Sequence, residues 1–154
     1  MPAAITITGT RATGHRPLGE YNAVFAEYLA PFADQAAHFY LGGAIGIDSL
    51  ALLWLVSEAR SKITVAVPGT AADQPPEARQ AIATAQDKGR LSELIELRHP
   101  GHPSAEAYHH RNRWMVDRSE FVIAFPHGVD QTRGTWYTAN YAAEQGKPRL
   151  IVPV

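Results

Sequence analysis

"YLGGAIGIDSLALLWL", residues 40–55, sets how this chain folds. A short apolar run ends at Gly42 and Gly43, a third glycine follows at Gly46, and Asp48 opens an apolar stretch long enough for a helix. A strand that passes through bare turn residues into a helix is the repeating unit of parallel sheets, whose strands need a crossover of this length. Glycine lets the backbone turn tightly and approach a phosphate, whose charge the helix N-terminus then favours. A phosphate is therefore the expected neighbour of this backbone.

The same unit recurs outward in both directions. "AITITG" (4–9) precedes "GEYNAVFAEYLAPFAD" (19–34), where Tyr21, Val24, Phe25, Tyr28 and Leu29 stand at helical spacing. "HFYLGG" is followed by "GIDSLALLWLVSEAR", "KITVAVPG" by "PPEARQAIATAQDKG", "LIELRHP" by "SAEAYHHRNRWMVDRS" and "FVIAFPHG" by "GTWYTANYAAEQG", and "RLIVPV" ends the series. Strands such as "ITVAV" and "FVIAF" are apolar at successive positions, as required when helices cover both faces. The pattern predicts a Rossmann-like, doubly wound α/β domain, a mainly parallel sheet of about six strands with helices on both faces. No long linker interrupts it, so residues 1–154 are read as a single domain.

Bulk composition narrows the functions. The chain has 154 residues, 45% hydrophobic and 19% charged, with a formal net charge of -1, so any attraction for an anion must be local. The absence of cysteine excludes disulfides, thiolate metal sites and cysteine nucleophiles. Neither a charged leader nor an apolar run of membrane-spanning length is present, which points to a cytoplasmic protein with no membrane partner.

Ligands of such sheets collect beyond the carboxyl ends of the strands. Those ends read Gly9-Thr10-Arg11, Gly42-Gly43-Ala44-Ile45-Gly46, Pro68-Gly69-Thr70, His99-Pro100-Gly101 and Pro126-His127-Gly128, with Gly134-Thr135 shortly after. "GTRATGHR" (9–16) has the glycine spacing of a P-loop, but His15 and Arg16 replace its lysine and hydroxyl residue. The spacing of "GGAIG" likewise differs from the dinucleotide fingerprint. In "HHRNRWMVDRSEFVIAFP" (109–126), Arg111 and Arg113 flank Asn112, and with Arg11 they supply three guanidiniums suited to phosphate. The alternative is a solvated helix face paired to Glu106, Asp117 or Glu120. The seven histidines form no complete ligand pattern, so neither a metal nor a cofactor is expected. Phe25, Tyr28 and Trp54 read as core, whereas Trp114, Trp136 and Tyr137 could stack on a base.

Taken together, "GTR", "LGGAIGIDSLAL", "HHRNRWMVDRSEFVIAF" and "GTWYTANYAAEQGKPRLIVP" resemble, in order and in most of their spacing, the Rossmann-like core of the DNA-processing protein A (DprA/Smf) family. This core belongs to a superfamily that includes the LONELY GUY (LOG) phosphoribohydrolases. The resemblance implies a nucleotide- or nucleic-acid-binding domain, commonly a homodimer. It makes Gly9, Thr10, Arg11, Gly42, Gly43, Gly46, Arg111, Asn112, Arg113, Gly128, Gly134 and Thr135 the candidates for a phosphate site. Asp48 would brace the loop and cap its helix.

The expected ligand is a nucleotide or nucleotide derivative, with single-stranded DNA as the alternative partner. If the chain is an enzyme, the LOG resemblance implies release of a base from a nucleoside monophosphate. Against that pattern, Arg111 and Met115 are kept but Thr138 stands in the place of the catalytic glutamate and supplies no comparable base. No catalytic residue is assigned.

Overall fold

The computed structural model describes residues 1–98, 104–128 and 134–154. Its elements run β1 (Ala4–Gly9), α1 (Leu18–Tyr28), β2 (His38–Leu41), α2 (Ile47–Glu58), β3 (Lys62–Pro68), α3 (Pro76–Asp87), β4 (Glu93–Leu97), α4 (Ala105–Asp117), β5 (Phe121–Phe125), α5 (Gly134–Glu144) and β6 (Arg149–Ile151). The six strands form one sheet in the order β4-β3-β2-β1-β5-β6, every neighbouring pair parallel. This is the doubly wound architecture expected from the alternating pattern. Right-handed crossovers place α1, α2 and α3 side by side on one face and α4 against α5 on the other.

The first helix is shorter than its periodicity suggests. It ends at Tyr28, and Ala30–Phe32 form a separate 3-10 turn, because Pro31 has no N–H to donate and its ring crowds the preceding turn. The core lies mainly between the sheet and the α1–α3 layer. There Phe25 of α1 meets Phe125 of β5 edge to face, ring centroids 5.5 Å apart, and Trp54 of α2 lies 6.4 Å from Phe25. In β1 the side chains alternate across the sheet: Ile5 and Ile7 enter this core, while Thr6 on the other face shares a 2.6 Å hydrogen bond with Ser119.

One point of the topology positions the cleft. From β1 the chain crosses toward β2, whereas from β5 it crosses toward β6. The two strands end level, Gly9 opposite Phe125, with the Thr10 N–H donating to the Phe125 carbonyl at 3.0 Å. Their loops then diverge and leave a crevice at the switch point.

Candidate functional site

That crevice is a cleft of about 500 Å³. The end of β1 (Thr8 to Ala12), the start of α2 (Ala44, Asp48), the inner face of α4 (Tyr108, Arg111, Asn112), the end of β5 (Pro126, His127) and the start of α5 (Gly134, Thr135, Trp136) line it. The α4 helix forms one of its walls. Ser104 caps that helix by accepting from the Ala107 N–H at 3.3 Å, and the helical repeat turns Ala107, Arg111 and Met115 inward together.

Arg111 is only 4% exposed. Its Nη1 donates to the Gly42 carbonyl and, at 3.4 Å, to the Ala66 carbonyl, while its Nε donates to Asn112 Oδ1 at 2.8 Å. Asp48 also lies beside Gly42, its Oδ2 accepting from the Ala44 N–H at 3.2 Å. Burial pushes the Asp48 carboxyl above the ordinary carboxylate range, opposed by the Arg111 guanidinium, the Ala44 N–H and Arg11. Burial likewise works against the charge of Arg111, opposed by Asp48. These two charges compensate each other in the floor of the cleft. Arg111 therefore braces the site from within through Nη1 and Nε, while its Nη2 makes no hydrogen bond with another described residue.

The glycine loop also differs from its expected role. A Cβ on Gly42 would fall 2.6 Å from the Arg111 guanidinium carbon, one on Gly43 2.6 Å from the Val67 side chain, and one on Gly46 2.5 Å from the Thr10 carbonyl oxygen. The close neighbour of this bare backbone is the protein itself. Its N–H groups are similarly taken: Ala44 by Asp48, Gly46 by Glu77 at 3.4 Å, and Ile47 by the Thr10 carbonyl at 3.0 Å. None of Gly42, Gly43 and Gly46 lines the cleft.

Arg113, the third predicted phosphate ligand from this region, stands outside the lining as well. It donates to Glu106 at 2.6 Å, two turns earlier on α4, and to the Tyr137 hydroxyl at 2.7 Å, tying α4 to α5. The pairing with Glu106 is the solvated-face alternative that charge patterning left open. Gly128 is exposed beyond the lining, and residues 99–103 and 129–133, which include the predicted strand end His99-Pro100-Gly101, lie outside the described residues.

Gly9, Thr10, Arg11, Asn112, Gly134 and Thr135 do come together in the cleft, beside Arg111. Arg11 lies over the Tyr108 ring, 4.6 Å from its centroid, and makes no hydrogen bond or ion pair with another described residue. The side chains around it share an unusual property. Thr8 (7% exposed), Thr135 (8%), Asn112 (6%) and Arg111 are buried polar residues that retain unused hydrogen-bonding capacity among the described residues, and all four line this cleft. Among the described residues the hydroxyls of Thr8 and Thr135 have no partner, and Asn112 uses only its oxygen, leaving its amide N–H groups open. Buried polar groups are ordinarily satisfied by protein, so such groups facing one cavity mark a place where a polar guest completes them.

The comparisons agree with this architecture. The family model for DNA recombination-mediator protein A matches residues 2–154. The chain belongs to that family. A solved structure of DNA processing protein A from Helicobacter pylori, reported for its single-stranded DNA binding mode, superposes with a TM-score of 0.73 at 21% identity, over 99% of this chain and 66% of that one. This chain therefore spans just under two thirds of the Helicobacter protein's length. No curated protein matches.

In this DNA recombination-mediator family member, the sequence reading missed Thr8 and Tyr108 as cleft residues. A signal for Thr8 was present: "ITIT" in a strand with both faces covered puts hydroxyls on one face, and the second is left without the partner that Thr6 has in Ser119. Nothing local distinguishes Tyr108. Thr138, in the position of the LOG glutamate, is fully buried and its hydroxyl donates to the Gly134 carbonyl at 2.9 Å. Asp48 is the only carboxylate among the described lining residues, and it is already engaged.

Proposed function

We propose that the chain binds single-stranded DNA, taking a backbone phosphate into the cleft between the ends of β1 and β5. The observation that carries this reading is the convergence of Arg11, which lies over the Tyr108 ring and has no hydrogen-bond or ion-pair partner among the described residues, with the open donors of Thr8, Asn112 and Thr135. A phosphate group offers several acceptor oxygens to such donors, and a guanidinium fork matches two of them. The start of α5 adds the favourable end of a helix dipole. Family membership supports the same reading, as does the single-stranded DNA binding reported for the Helicobacter pylori protein.

This partner takes precedence over the free nucleotide expected first, because the family evidence concerns DNA processing. Arg111 and Asp48 hold the floor in shape, and the unengaged Nη2 of Arg111 adds a donor beside Arg11. Two copies acting on one strand would multiply a weak contact by effective concentration, which gives the expected homodimer a purpose.

The test is fluorescence anisotropy with a labelled thymidine oligonucleotide. Arg11→Ala should cost about 1.5–3 kcal/mol of binding energy, the worth of a charge-assisted hydrogen bond, with its melting temperature unchanged because Arg11 is exposed. Equal affinity of the variant and the parent would remove Arg11 and this cleft from DNA binding.

A further inference from the structure

We infer that Tyr108 is a positioning residue: its ring holds the Arg11 guanidinium in the cleft without using any of the hydrogen-bond donors of that guanidinium. The purpose of the arrangement rests on the reading of the cleft as the DNA site.

An exposed arginine on a loop needs something to hold it. Arg11 lies just past the end of β1 and has no hydrogen bond or ion pair with another described residue. What it has is the Tyr108 ring, with 4.6 Å from the guanidinium carbon to the ring centroid. That attraction is between the whole cation and the negative face of the ring, so no acceptor is required and the fork of N–H groups stays free. The neighbouring arginines are held differently. Arg113 gives N–H groups to Glu106 and Tyr137, and Arg111 gives Nη1 to Gly42 and Ala66 and Nε to Asn112.

The charges around Arg11 give the ring its task. Burial raises the Asp48 carboxyl, while Arg111, the Ala44 N–H and Arg11 lower it. Burial also works against the Arg111 charge, which Asp48 supports and Arg11 opposes. Arg11 is thus drawn toward one buried carboxylate and pushed from one buried guanidinium. An ion pair with Asp48 would occupy the fork that a phosphate needs. Tyr108 counters both tendencies from its place on α4, one helical turn before Arg111 and lining the same cleft, with the Arg111 guanidinium carbon 5.8 Å from its ring centroid. Both cations therefore meet one ring. The Tyr108 hydroxyl makes no hydrogen bond with another described residue, so the ring is the part that acts.

The experiment follows anisotropy of the labelled thymidine oligonucleotide on the whole chain. Tyr108→Leu removes the ring, Tyr108→Phe keeps it, and pentafluorophenylalanine at position 108 keeps its shape while draining the negative charge from its face. The leucine and fluorinated variants should bind about three- to tenfold more weakly than the parent, and Tyr108→Phe should recover most of the affinity. Neither loss should persist once Arg11 is alanine, because the two residues act through one contact. In the free protein, NMR should show the Arg11 side-chain protons shifted upfield by the ring beside them, and Tyr108→Leu should abolish that shift.

If Arg11→Ala weakens binding while the leucine and fluorinated variants bind like the parent, Tyr108 does not position Arg11 and the DNA reading stands. A loss in Tyr108→Phe as large as in Tyr108→Leu would assign the role to the hydroxyl. A loss that persists in the Arg11→Ala background would make the ring itself a contact of the strand; either result overturns the inference. If the parent does not bind the oligonucleotide but shows an upfield shift that Tyr108→Leu abolishes, the DNA reading falls and the ring still holds Arg11. Absence of the shift overturns the holding itself.

Discussion

Gly46 shows how closely the loops that build the cleft are fitted. Its φ is +76°, and a Cβ there would meet not only the Thr10 oxygen but also Arg11 Cα, at 2.7 Å. Both obstacles are backbone, so no rotamer change relieves them. Gly46→Ala should lower unfolding stability by about 2 kcal/mol or more, combining left-handed strain with overpacking. Urea denaturation checks this, and a loss below half that size would mean that the β1 loop yields easily. Arg111 makes a second case. Replacing it with Met keeps the aliphatic stem but strands the Asp48 carboxylate and the Gly42 and Ala66 carbonyls in the interior. Removal of one member of a buried charge arrangement costs about 3–5 kcal/mol. Arg111→Met should therefore appear first as a destabilised protein, whereas Arg11→Ala should appear as a stable protein with weak binding. These two arginines look alike in sequence, and the distinction lies entirely in what already occupies their donors.

At the scale of elements, a chain of side chains crosses three neighbouring strands. His38 on β2 donates from Nε2 to the Thr64 hydroxyl on β3 at 2.6 Å, and that hydroxyl donates to Glu93 on β4 at 3.2 Å. Burial pushes the His38 imidazole below its ordinary value of 6.5, with Glu93 pulling the other way. The unfolded chain thus takes up this proton more readily than the folded one. The contribution of neutral His38 is complete above pH 6.5 and is lost as the pH falls below it toward the depressed value. Urea midpoints measured from about pH 7.5 to pH 5 should fall more steeply for the parent chain than for His38→Gln. Parallel curves would assign the acid sensitivity to other groups. Element boundaries were largely legible in advance, since hydrophobic period and terminal glycines are local signals. The one misplaced end, at α1, traces to Pro31, whose missing N–H outweighed an uninterrupted apolar pattern.

For the whole molecule, the formal net charge of -1 means that no general field draws a polyanion to the surface. Binding through Arg11 alone gives a weak salt dependence, because each phosphate contact to a single strand contributes a slope of only about -0.7 in log affinity against log salt. Titration of the labelled oligonucleotide across salt concentrations should give a slope per chain of about -0.7 to -1.5. A slope steeper than about -3 would bring further cations into contact and replace the single-cleft account with an extended surface. The sheet order makes the single cleft possible, because only at the junction of β1 and β5 do successive connections leave in opposite directions. Among the described residues, no helix is long and apolar enough to cross a membrane.

The amino-acid order alone was enough to place the strands and helices, to require a parallel sheet, and to point to the family through its glycine loops and the Arg-Asn-Arg segment. Such features depend on near neighbours in the chain. Which polar groups stay open for a ligand depends on distant ones. The Nη1 of Arg111 is taken by a carbonyl 69 residues away, Gly46 gives up its N–H to a carboxylate 31 residues along, and Thr8 is left open while Thr6 finds Ser119 across 113 residues. A hydrogen-bond donor can serve a guest only if folding has not already used it, and that tally is completed only when every segment is in place.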